Sequence, residues 1–220
     1  MVETVPLPRA VVFDWDNTLV DSWAAIGESM NVVLRAFGRA EWSPEEVKTQ
    51  SNRALRDSFP EWFGAEWERA RDIYRTHYRS IHLSRLRPLD GSAALLRWLG
   101  DRKIPLFVVS NKLGALLRLE AETLDWTARF VALFGSLDAP RDKPERDPVD
   151  AALAQGQLKA DDGHIWFVGD THIDVQCARN SGCTPVMLYN DAEAARLGVD
   201  LAFSDCHALL KALNNHAEQG

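Results

Sequence analysis

The stretch Val11-Val12-Phe13-Asp14-Trp15-Asp16-Asn17-Thr18 does most to limit what this chain can fold into. Three β-branched and aromatic residues without a charge read as a buried strand, and the strand runs straight into two acids. Side chains on a strand alternate faces every second residue, so Asp14 and Asp16 leave on the same side, roughly 6–7 Å apart at Cα. Two carboxylates at the end of a buried strand repel each other, and desolvation penalises both. A hard divalent cation such as Mg²⁺ is the simplest compensation. A strand ending in an ordinary acidic turn stays open on this stretch alone, because Asp and Asn are common turn residues.

The rest of the chain sets the context. From about residue 21 to 86 only helices are expected. Trp23, Ile26, Met30, Val33 and Phe37 form one stripe, and Gly38 follows where a helix would stop. Ser43-Pro44-Glu45-Glu46 has the cap, first-turn proline and acids that open a helix. Asn52 to Phe59 reads as a short helix, and Pro60 as the start of a further segment. In that segment Trp67, Ala70, Tyr74, His77 and Ile81 make a second stripe. Its aromatics read as the core of a small bundle. After Pro88-Leu89-Asp90-Gly91 the pattern alternates. Strands are expected at Lys103–Val109, Phe130–Phe134, Ile165–Val168, Pro185–Tyr189 and Ala202-Phe203. Helices are expected near Ser92–Leu99, Leu113–Thr123, Asp147–Ala154, Asp174–Asn180 and Asp205–Leu213.

Continuous apolar strands alternating with helices predict an α/β fold: a doubly wound, Rossmann-like parallel sheet covered on both faces. The first strand belongs to that sheet, so the helical stretch is an insert. The expected organisation is a core of residues 1–20 and 87–220 with a small all-helical cap of residues 21–86. Ligands of such sheets bind beyond the carboxyl ends of the strands. Those ends carry Asp14 and Asp16, then Ser110-Asn111-Lys112, then a loop with Lys143-Pro144, then Gly169-Asp170-Thr171-His172-Ile173-Asp174. Acids for a metal, a hydroxyl and amides for an anion, and one cation are what phosphoryl transfer requires.

In order and placement, Asp14-x-Asp16-x-Thr18, Ser110, Lys143 and Gly169-Asp170-x-x-x-Asp174 resemble the four motifs of the haloacid dehalogenase superfamily. The resemblance covers essentially the whole chain, inserted cap included, and the layout is most similar to the phosphoglycolate-phosphatase branch. It implies a Mg²⁺-dependent phosphatase acting on a small phosphorylated metabolite through an aspartyl phosphate. Asp14 is implied as nucleophile and metal ligand. Asp16 is implied as general acid and base, offering the metal its backbone carbonyl, with Thr18 holding its carboxyl. Ser110, with amides near Asn111, is implied as a phosphate donor, and Ser-Asn could equally cap the following helix. Lys143 is implied as the positive charge on the transferring group, with Arg141 as its rival in a crowded loop. Asp170 is implied as a Mg²⁺ ligand; Asp174 would ligate through water or hold Lys143. Lys112 is expected to be solvent-exposed, with a cap-facing position as the other reading, and His172 to lie in a surface loop. Trp15 stands where the family more often has Phe, which predicts a packing change on the far side of the strand.

Within the expected cap, Arg53 and Arg56 are candidates to hold a substrate carboxylate or second phosphate, with a solvated position as the other reading. Dehalogenases of the family lack the second acid, so Asp16 favours a phosphate ester as substrate. A phosphotransferase or mutase of the same family, and a relative that binds without catalysis, are the competing readings. A net charge of −7 with no basic run argues against nucleic acid. Three cysteines without framework spacing fit a reducing, cytoplasmic setting. Neither a signal peptide nor a membrane span is expected.

Overall fold

A computed structural model describes residues 5–50, 55–160 and 163–217, for 55–57 by their backbone only. In chain order the elements begin with β1 (Ala10–Phe13), β2 (Val20–Asp21), α1 (Trp23–Ala36), α2 (Pro44–Gln50), α3 (Leu55–Phe63), α4 (Trp67–Arg85) and β3 (Arg87–Pro88). Then come α5 (Ser92–Asp101), β4 (Leu106–Leu113), α6 (Gly114–Thr123), β5 (Ala132–Ser136), α7 (Asp147–Gln155) and β6 (Ile165–Gly169). The chain closes with α8 (His172–Ser181), β7 (Thr184–Leu188), α9 (Asp191–Leu197), β8 (Leu201–Phe203) and α10 (Cys206–Ala217). The chain forms two compact units, Met1–Val20 with Pro88–Gly220, and Asp21–Arg87.

The first unit is built on a six-stranded parallel sheet in the order β5-β4-β1-β6-β7-β8. β1 and β6 are buried at every residue, the signature of a sheet covered on both faces. One face packs Val12, Phe107, Val109 and Phe167 against Val149, Leu153 and Cys177 from α7 and α8. In register, Phe13 stands beside both Val108 of β4 and Val168 of β6. The carboxyl ends of these three adjacent strands therefore finish side by side, and the site is assembled there. The fold is the expected α/β one.

Some local expectations need correction. β4 runs on to Leu113, so Ser110, Asn111 and Lys112 lie within its end rather than beyond it. The cap position of α6 is Leu113, which makes no side-chain cap bond, so Ser110-Asn111 does not cap that helix. α8 starts at His172, two residues before the expected Asp174. α9 was not expected from the sequence; Asn190 caps it by accepting from the Glu193 amide at 3.1 Å.

In the second unit, α1 ends where expected, with Gly38 at φ +65°. The amide of Ser43 donates to Glu46 (2.7 Å) and that of Glu46 to Ser43 (3.2 Å), a reciprocal capping box opening α2. α3 continues through Pro60 instead of breaking there. Burial of Phe59 and Phe63 on either side of it outweighs the one backbone bond proline forfeits. α4 buries Ala70 and Tyr74 as expected, then Tyr78 and His82 in place of His77 and Ile81. Its rings stack in sequence, Tyr74 on Tyr78 at 5.8 Å and Tyr78 on His82 at 5.6 Å.

Candidate active site

The turn after β1 places the first acids. Asn17 adopts φ 61°, a left-handed conformation its short polar side chain tolerates. The chain then curls so that the amides of Thr18, Leu19 and Val20 all donate to the Trp15 carbonyl, at 3.0–3.3 Å. That curl returns Thr18 over the strand end. Its buried hydroxyl lies 3.2 Å from an Asp170 oxygen and 3.5 Å from Asp14 Oδ2. The expectation that Thr18 holds the Asp16 carboxyl gives way to contacts with Asp170 and Asp14.

β6 delivers the second pair of acids. At Gly169 a Cβ would lie 2.4 Å from the Asp174 side chain, so only glycine allows that carboxylate so close to the strand. Thr171 precedes α8, and both its amide (3.0 Å) and its hydroxyl (2.6 Å) donate to Asp174 Oδ2. The other oxygen, Oδ1, accepts from Lys143 Nζ at 2.7 Å. The same ammonium donates to Asp14 Oδ1 at 2.5 Å. Asn111 grips the Lys143 backbone, donating to its carbonyl (3.2 Å) and accepting from its amide (3.0 Å). Arg141 faces outward and pairs with Asp147 at 2.7 Å, so Lys143 is the cation of that loop that reaches the acids.

Carboxylate oxygens of Asp14, Asp170 and Asp174 lie within 4.8 Å of one another. One buried ammonium faces three acids, and the excess negative charge is visible in their chemistry. Burial pushes Asp14 up to about 6, against the pull of Lys143 and with a further push from Asp174. Burial, then Asp174 and Asp14, raise Asp170 well above the usual carboxylate range. Burial would lower Lys143, but Asp14 and Asp174 outweigh it and hold the ammonium charged. Hard oxygen donors carrying uncompensated charge fit a divalent metal ion.

Asp16 does not join that group. Its Oδ1 lies 2.7 Å from Lys112 Nζ, whose other carboxylate partner is Glu120 Oε2 at 2.6 Å. Lys112 was expected at the surface; its side chain is only 4% exposed. The reason is the extension of β4, which carries Lys112 against α6, where Glu120 supplies the compensating charge. Trp15 is buried too, and its indole N–H donates to the same Glu120 oxygen at 2.7 Å. Sequence reasoning missed Glu120 altogether. The available signal was an acid beside Ala121 and three residues after Leu117, both on the buried face of α6.

Ser110 is buried at the same edge, and its hydroxyl accepts from the Lys112 amide at 3.2 Å. His172 opens α8, partly buried rather than on a surface loop. Arg53 lies outside the described residues. Arg56 falls in α3, and its side chain lies outside them.

The profile of the haloacid dehalogenase-like hydrolases matches residues 11–188, a span that holds every element of this site. The chain belongs to the haloacid dehalogenase-like hydrolase family. Within that family, a phosphoglycolate phosphatase of Chromobacterium violaceum is 28% identical over 94% of this chain and 97% of its own length. Another from Xylella fastidiosa is 31% identical over 80% of this chain and 77% of its own. Among solved structures, a haloacid dehalogenase-like hydrolase from Streptococcus pneumoniae superposes with a TM-score of 0.82 at 23% identity. It covers 91% of this chain and 96% of that one, and shares the fold. A hydrolase of the superfamily from Ehrlichia chaffeensis is 27% identical with a TM-score of 0.64, over 94% and 96% of the two chains.

Proposed function

We propose that the protein is a Mg²⁺-dependent phosphatase that hydrolyses a small phosphorylated metabolite through an aspartyl phosphate on Asp14. The observation that carries this reading is the buried pairing of Lys143 with both Asp14 and Asp174, beside a third acid, with Asp16 held apart. That arrangement separates a nucleophile from an acid-base residue, the division of labour a two-step displacement needs.

Asp14 and Asp170, with the Asp16 backbone carbonyl, would hold the metal; Asp174 supports Lys143. Bound there, Mg²⁺ would supply charge neutralisation to the phosphate oxygens. Lys143 contributes the fixed cation on the transferring group, and Ser110 donates to one of its oxygens. Asp14 attacks phosphorus as the bond to the leaving oxygen breaks, and Asp16 gives that oxygen a proton. Asp16 then takes a proton from the water that releases phosphate from Asp14. Asn111 acts by fixing the Lys143 backbone.

The helical unit Asp21–Arg87 is proposed as the cap that selects substrate. The names of the relatives make 2-phosphoglycolate the first candidate substrate. Three buried cysteines with free thiols suit a reducing compartment, and we place the enzyme in the cytoplasm. The test is phosphate release from 2-phosphoglycolate and from an aryl phosphate, with Mg²⁺ and with chelator, by the native chain and Asp14→Asn. Metal-dependent turnover lost in the variant is expected. Turnover that survives in Asp14→Asn would rule out the aspartyl phosphate.

A further inference from the structure

The core unit contains a second buried ionic cluster that the reaction as written does not use. Glu120 is 1% exposed, and its Oε2 receives both the Trp15 indole N–H and the Lys112 ammonium. Lys112 reaches on to Asp16 Oδ1. Because Trp15 and Asp16 are consecutive, the contacts close a ring: Trp15 to Glu120, Glu120 to Lys112, Lys112 to Asp16, and back through one peptide bond.

Stability does not account for this ring. A buried ion pair can often be replaced by apolar side chains with no loss, since desolvation consumes most of the Coulombic gain. The surroundings here are apolar: Trp126 and Phe130 pack edge-on to Trp15, at 5.9 and 6.3 Å. Leucine or methionine at 120 would suit such a pocket. What the charges achieve is geometric. Glu120 holds the Lys112 head at 2.6 Å, and Lys112 in turn meets one oxygen of Asp16 at 2.7 Å. Asp16 itself keeps a side chain 24% exposed, able to meet a substrate.

We propose that Lys112, Glu120 and Trp15 are positioning residues that aim the Asp16 carboxyl at the leaving oxygen, an inference that rests on the acid-base role given to Asp16 above. In the first step the Asp14–phosphorus bond forms, the phosphorus–oxygen bond of the ester breaks, and the Asp16 proton passes to the departing oxygen, yielding an alcohol. A poorly aimed Asp16 harms this step only when the leaving oxygen needs that proton.

The experiment measures kcat/KM, which reports through formation of the aspartyl phosphate, for 2-phosphoglycolate and for p-nitrophenyl phosphate. In Lys112→Met the expected loss is about 100-fold for the alkyl ester and under about 5-fold for the aryl ester, within the range general acid catalysis supplies. Trp15→Phe removes one donor of the ring without stranding a charge; it is expected to show the same selectivity at about 3- to 10-fold. Equal losses on both esters, or none, would overturn the proposal. Crystal structures of the native chain and Trp15→Phe, and of Lys112→Met where it folds, decide the point independently of turnover. The Asp16 carboxyl should hold one orientation in the native chain and leave it in the variants; an Asp16 that stays put refutes the positioning role. A native enzyme inactive with Mg²⁺ would strike the phosphatase reading, while this structural comparison would still judge the ring.

Discussion

Two lysines of this protein are buried, one at the end of β4 and one in the loop after β5, and each bridges two carboxylates. Lys143 joins Asp14 to Asp174, and Lys112 joins Asp16 to Glu120. Locally both are one cation between two anions. They differ in what lies next to them. Beside Lys143 stands a third acid, Asp170, and burial first, then the neighbouring acids, displaces Asp14 and Asp170 upward. Beside Lys112 stand an indole N–H and aromatic rings. The first arrangement gathers three carboxylates around one cation; the second sets its cation between two. On the proposals above, the same salt-bridge chemistry would serve as a receptor in one place and as a brace in the other.

The widest gap between them should appear on removing each cation. Lys143→Met is expected to lower kcat/KM by about 10³-fold on good and poor leaving groups alike, because it strips charge from the phosphoryl group itself. Steady-state kinetics on the two esters checks this, and a leaving-group-dependent loss would collapse the distinction from Lys112. A stability experiment sharpens the other side. Lys112→Met alone removes the cation between Asp16 and Glu120 and should cost about 3 kcal/mol, whereas Lys112→Met with Glu120→Leu should recover most of it. Denaturant titration of single and double variants reads this, and additive losses would count against a brace.

The acid-rich site should also be exposed by pH. Asp14 holds its proton to about 6 in the folded chain, against 3.8 ordinarily, chiefly because it is buried. Between those values the folded state binds a proton the unfolded state has released, so this carboxyl removes stability as pH rises from about 4 to 6. The change is about 3 kcal/mol in all. In chelator, melting temperature followed across that interval should fall more steeply, or rise less, for the native chain than for Asp14→Asn. Parallel profiles would mean Asp14 is not strained. The smallest effect is expected at Gly169→Ala, where the new methyl displaces Asp174. A loss of about 1–3 kcal/mol should accompany weakened Mg²⁺ stabilisation, checked by thermal shift with and without metal.

How much of this could be read from the sequence follows the same division. The core strands, the parallel sheet and the place of Asp14 after β1 and of Asp170 after β6 are legible, because strand ends in an alternating pattern announce themselves. Lys112 and Glu120 did not. Whether Lys112 is buried depends on β4 continuing to Leu113 and on the rotation of α6, and neither is written in local periodicity. The Thr18 contacts to Asp14 and Asp170 depend on the curl around the Trp15 carbonyl, with Asn17 in its left-handed conformation. In α4 two ladders share Ala70 and Tyr74 and then part by one residue, and hydrophobicity alone favours the one carrying Ile81. Ring stacking through Tyr74, Tyr78 and His82 decided for the other.

The end of β4 has an implication for recombination. Ser110, Asn111 and Lys112 are three consecutive residues with three different attachments: a local backbone amide, the Lys143 loop, and the Asp16–Glu120 pair. Inserting or deleting one residue there would reassign all three at once, since neighbouring side chains on a strand face opposite ways. A chimera with a relative should therefore exchange this tripeptide together with α6 and the Lys143 loop. A crossover between Ser110 and Lys143 would join halves that had never been fitted to each other.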